Sequence, residues 1–116
     1  VMQIEEALEA YQKVAEINPA NPEIWLDYSN IYKEKGLADK AVDILNDGLK
    51  VQPSNPDILY RMTAYYYENG RLKEAYACLY DALEIDYKKH TTLFEYSPQL
   101  ESDPMILGVI DEFRNK

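Results

Sequence analysis

The sequence predicts an all-α fold, an α-α superhelix of antiparallel helix pairs closed by a C-terminal capping helix. Three observations predict it. The chain resembles itself at a shift of about 34 residues, a period that marks helical repeats. Asn-Pro and Gly recur at matching places within each period. Between them lie apolar runs of helical spacing. The composition suits such a fold: 47% of the 116 residues are hydrophobic and 28% charged, which excludes disorder and allows one domain of a few repeating units.

The repeat shows when "NPEIWLDYSNIYKEKGLADKAVDILNDGLKVQPS" (21–54) is set over "NPDILYRMTAYYYENGRLKEAYACLYDALEIDYK" (55–88). Asn21 meets Asn55, Pro22 meets Pro56, Tyr32 meets Tyr66, Gly36 meets Gly70 and Ala41 meets Ala75. Asn is suited to cap the first helix of each unit and Pro to its first turn. Gly36 and Gly70 end that helix, since glycine tolerates a left-handed cap. A second helix is predicted over 38–50 and 72–85, with Ala41 and Ala75 where the two helices approach closely. Asn46-Asp47-Gly48 alone reads as a turn, but the register sets Gly48 opposite Ala82 and keeps it inside a helix at a cost of about 1 kcal/mol.

The pattern extends in both directions. Residues 5–21 read as the second helix of an earlier unit, with Ala7, Tyr11 and Pro19 in the positions of Ala41, Leu45 and Pro53, so 1–20 is expected to be a partial repeat, either because a longer parent was cut or because this helix ends the array. After 88 the register continues through Leu93 and Tyr96 until Pro98, which breaks the helix. Asp103 is then placed to cap a last helix and Pro104 to start it, with Met105, Ile106, Val109, Ile110 and Phe113 as its apolar stripe. Residues 89–116 thus form a degenerate closing unit with a capping helix.

These units resemble the tetratricopeptide repeat (TPR) family. Trp25 or Leu59 stands at its bulky fourth position, Tyr28 or Met62 at its seventh and Ser29 or Thr63 at its small eighth. Tyr32 and Tyr66 match its tyrosine, Gly36 and Gly70 its glycine, Ala41 and Ala75 its alanine, and Pro53 its closing proline, from which Tyr87 departs. The tail is similar to the ends of some bacterial members.

The resemblance implies a noncatalytic protein-protein interaction module that binds a peptide or helix in a concave groove. Carried onto this chain, it selects Leu26, Asn30, Lys33, Asp57, Tyr60, Arg61, Tyr67 and Phe94 as groove residues, with Leu26, Tyr60 and Phe94 forming an apolar ladder. In "RMTAYYYENG" it buries Tyr66, packs Tyr65 against a neighbouring repeat and turns Tyr67 to the groove. Aromatic anchors flanked by Asp57, Glu68 and Glu95 suit an apolar partner with some positive charge. Of five groove positions by which some members clamp an acidic C-terminus, only Asn30 matches, which argues against that ligand.

Other classes find little support. A net charge of -9 repels nucleic acid and anionic lipid, and no apolar run is long enough to span a membrane. No cofactor motif or metal-ligand spacing occurs. His90, the only histidine, reads as structurally neutral and Cys78, the only cysteine, as a small buried apolar residue, so the chain is expected not to be an enzyme and to be cytoplasmic. The alternatives are a structural segment of a larger protein, self-associating through Ile4, Leu8 and Tyr11 of the N-terminal helix, or a regulatory domain attached to an enzyme.

Overall fold

The computed structural model of the chain describes residues 2–116, with side chains described from Ile4 onward. Val1, the first residue of the expected partial repeat, lies outside them. Among the described residues there is no strand, and the all-α expectation holds. The helices are α1 (Met2–Ile17), α2 (Pro22–Glu34), α3 (Ala38–Val51), α4 (Pro56–Glu68), α5 (Leu72–Ile85), α6 (Thr91–Tyr96) and α7 (Pro104–Phe113), with 3-10 turns at Tyr87–His90 and Pro98–Ser102. They fall into two compact units, Val1–Pro53 and Ser54–Lys116.

Unit 1 packs α2 between α1 and α3. The Asn21 side chain accepts from the Glu23 N–H at 3.1 Å, so the cap forms where Asn-Pro predicts it. Gly36 has φ +79° and closes α2 with two bonds, Gly36 N–H to the Lys33 carbonyl and Leu37 N–H to the Tyr32 carbonyl, each 2.9 Å. That is the Schellman arrangement, in which a left-handed residue satisfies the last carbonyls. Ala15, Ile24, Trp25 and Tyr28 form a core against which Leu8, Tyr11, Tyr32 and Ile44 pack. The helix α3 runs unbroken through Asn46-Asp47-Gly48, and Gly48 is buried, so register overrides the local turn signal.

Unit 2 repeats the plan and adds the closing segment. The Asn55 side chain accepts from the Ile58 N–H at 3.1 Å, and Gly70, at φ +74°, ends α4 as Gly36 ends α2. α4 packs on α5 on one side and on the 3-10 turn 87–90 and α6 on another. Pro98 stops α6 as expected: Ser97 before it is extended, and the chain continues as a 3-10 turn. α7 docks on α5 through Phe113, whose ring meets Tyr80 edge-on at 5.5 Å. Its buried stripe is Ile106, Ile110 and Phe113, spaced for one helix face. Met105, counted in that stripe from the sequence, is 65% exposed because it falls a quarter turn outside it.

Candidate functional site

The residues selected from sequence divide by unit. On α2, Leu26 is buried, while Asn30 and Lys33 are half-buried. The Asn30 amide donates to the Glu34 carboxylate at 3.2 Å, an i,i+4 bond that holds it along the helix surface. On α4, Tyr60 is entirely buried, and its hydroxyl donates to the Asp86 carbonyl at 2.7 Å. Burial pushes its phenol well above the usual range. Leu26 and Tyr60 are therefore core residues rather than projecting anchors of a ladder. The cause in unit 2 is enclosure of α4 by α5 and by the turn that carries Asp86 into reach.

Three further α4 residues from the selection are engaged within unit 2. The Asp57 carboxylate takes the Lys89 ammonium at 3.1 Å and 3.2 Å. The Arg61 guanidinium lies 4.0 Å from the centroid of the Tyr96 ring and donates to the Tyr65 hydroxyl at 3.3 Å. Stacking and the phenols of Tyr65 and Tyr96 hold the charge. The Tyr67 hydroxyl donates to the Asp103 carboxylate, whose other oxygen accepts from the Met105 and Ile106 N–H groups and caps α7. Of the three consecutive tyrosines, Tyr65 and Tyr66 are buried, and Tyr67 fastens the closing helix.

Phe94 is different. It lines a cleft of about 460 Å³ with Tyr87, His90, Leu107 and Ile110, and Asp111 and Arg114 also border it. The ring centroids of Tyr87 and His90 lie 4.7 Å apart, and those of His90 and Phe94 6.2 Å apart in edge-to-face geometry. His90 Nδ1 lies 2.7 Å from the Tyr87 carbonyl, which can only accept. Nδ1 therefore carries a proton. Leu107 is exposed, and a side chain added at Gly108 would meet open space. The cleft can hold an apolar side chain against three aromatic rings and offers hydrogen bonds at its rim.

Sequence reasoning treated His90 as neutral and passed over Tyr87 and Leu107. The available signal was the spacing of Tyr87, His90 and Phe94, which are three and four residues apart and share a side of consecutive helical turns. Cys78 is half-buried, and burial, followed by Asp81 and Glu74, pushes its thiol up to about 11, so little thiolate exists near neutrality. Among the described residues no cluster of His, Cys, Asp or Glu is arranged to hold a metal, and no helix is long and apolar enough to cross a membrane. On α1, Leu8 and Tyr11 pack into the unit 1 core, which leaves Ile4 as the exposed member of the expected self-association face.

Comparison with known proteins gives a consistent picture of the fold. The family pattern described as Tetratricopeptide repeat matches residues 3–58. The crystal structure of MamA is similar with a TM-score of 0.63, over 97% of this chain and 69% of that one, at 17% identity. No curated protein matches the chain.

Proposed function

We propose that this chain, which is similar to the tetratricopeptide repeat family over residues 3–58, is a noncatalytic protein-interaction module that captures a peptide or helix of a partner. The anchoring point in unit 2 is the cleft built on Phe94, Tyr87 and His90. The observation that carries this reading is that Phe94 borders open space, whereas Tyr60 is enclosed and Asp57, Arg61 and Tyr67 are engaged inside their own unit. Leu26 and Tyr60 are buried, each within its own unit, and Asn30 and Lys33 are half-buried polar residues of α2. Residues 21–54 and 55–88 are the two repeats, 1–20 a partial one and 89–116 the closing unit; the pairing of α2 with α3 and of α4 with α5 supports this division.

The partner's contact segment combines an apolar or aromatic side chain for the cleft with positive charge, which the acidic chain attracts. The test is selection of a random peptide library on the full chain, with counter-selection on a Phe94→Ala, Leu107→Ser variant whose circular dichroism and melting are unchanged. Peptides with apolar and basic residues, enriched on the unaltered chain alone, are the expected result. Equal enrichment on both chains, or none, contradicts the reading.

A further inference from the structure

Unit 1 holds a second concavity, of about 360 Å³, unrelated to the residues selected for the groove. Its floor is Ala15 of α1, Trp25 and Tyr28 of α2 and Ile44 of α3; Glu16 and Asp47 contribute carboxylates. A helix advances about 100° per residue, so Trp25 and Tyr28 lie on a different side of α2 from Leu26, Asn30 and Lys33.

The floor is fixed in place. The Trp25 indole N–H donates to the Pro19 carbonyl at 2.7 Å, so the indole has only carbon and π-surface left for a ligand. The Tyr28 ring stacks on Tyr11 at 6.4 Å with an interplanar angle of 12°, and has Tyr32 at 5.8 Å. Ala15, Trp25 and Tyr28 are all buried core residues, and such a floor does not need to be ordered when a ligand arrives.

The walls are negative. Glu16 is exposed, and Asp47 is paired with Lys50 at 3.3 Å in a solvated i,i+3 contact that is weak and readily exchanged. The Tyr28 phenol is raised above its ordinary value by burial, then by Tyr32, and after these by Asp47 and Glu16, which agrees with both carboxylates acting on this pocket.

An apolar, aromatic floor below two carboxylates calls for a cation on an apolar stem. We propose that this pocket receives an arginine side chain of a partner protein. The volume lies near the lower end of ligand pockets, about 300–1,000 Å³, and suits one long side chain better than a cofactor. A planar guanidinium stacks on aromatic surface, is less strongly hydrated than an ammonium and meets carboxylates with two donors at once. The net charge of -9 favours the approach of such a partner. The site goes beyond the cleft of unit 2 and does not depend on it.

Trp25 is the only tryptophan, so its emission reports directly on the pocket floor. The full chain is titrated with a capped alanine pentapeptide carrying one central arginine, and with its citrulline and lysine counterparts. A saturable change in emission is expected with the arginine peptide, a weaker one with lysine, and none with citrulline, which keeps the shape and loses the charge. Glu16→Gln and Asp47→Asn, both on solvated side chains, each weaken the arginine peptide about tenfold, the value of a lost charge-assisted hydrogen bond, with unchanged circular dichroism. Phe94→Ala leaves it unaffected. The proposal is overturned by no saturable change with arginine, by an equal response to citrulline or lysine, or by undiminished binding in both carboxylate variants.

Discussion

α2 and α4 occupy the same register in successive helix pairs, yet they bury different stretches. Burial in α2 covers Ile24, Trp25, Leu26, Tyr28 and Ser29 and stops short of Asn30. In α4 it runs from Ile58 to Tyr66 with Arg61 as the half-buried exception. The aligned pairs Asn30/Ala64 and Ile31/Tyr65 mark the change. Within unit 2, α4 is enclosed by α5, the 3-10 turn 87–90 and α6, and its second half becomes core. A repeat pattern thus fixes which residues face along a helix, while the neighbours decide whether that face remains a surface. For function, with the face of α4 engaged, the half-buried rings of Tyr87, His90 and Phe94 line a cleft in unit 2, apart from the exposed Tyr80 of α5.

Truncation tests this contrast most strongly. Tyr60→Ala removes a fully buried ring and is expected to cost about 3–5 kcal/mol by urea unfolding, against less than about 0.5 kcal/mol for Asn30→Ala. Similar costs at the two positions would break the comparison. Tyr60→Phe isolates the hydroxyl bond to Asp86 and should cost about 1 kcal/mol. Ala64→Asn gives α4 the residue that α2 carries, but in a site with no solvent exposure, so a loss of about 2–3 kcal/mol is expected in the same assay.

Glycine substitution should erase the difference between the helices. Gly36→Ala and Gly70→Ala both force a side chain into the left-handed region with open space around it, so each costs about 1–2 kcal/mol through the backbone alone. A melting shift seen for one and not the other would contradict this equivalence.

The smallest effect concerns the fastening of α7 to α4. Asp103→Ala should destabilise by about 1 kcal/mol through loss of the cap. The Tyr67 hydroxyl, and after it the Ile106 and Met105 N–H groups, hold the Asp103 carboxyl below the usual carboxylate value. Its folded pKa is therefore lower than its unfolded one. The stabilisation is present above the unfolded value, about 4, and is lost as pH falls through the folded value. The gap in urea midpoint between the unaltered chain and Asp103→Ala should be full at neutral pH and narrow steadily as pH falls below about 4; a gap that does not narrow at all down the acid range would refute the linkage.

Much of the fold was legible because its signals are local and repeated. Asn21 and Asn55 cap, Gly36 and Gly70 turn, and Pro98 interrupts, each by backbone chemistry that needs no knowledge of the surroundings. Gly48 was legible only through register, since its own neighbours in sequence argue for a turn. The candidate site was less legible. Tyr60 and Leu26 carry the right residue type for anchors, but exposure is a property of tertiary packing, and an aromatic ring that could meet a partner meets its own unit instead. Arg61 and Tyr67 found partners about one repeat length further along, in Tyr96 and Asp103, and composition does not reveal such pairings.

The central claim, that a partner segment is captured at the closing cleft of unit 2, is tested most directly by NMR of the isotope-labelled full chain titrated with a library-selected peptide. The account predicts the largest chemical-shift changes at Tyr87, His90, Phe94 and Leu107, with His90 ring protons among them and buried Tyr60 little moved. Unchanged signals at those four residues, with saturable shifts elsewhere on the chain, would contradict it.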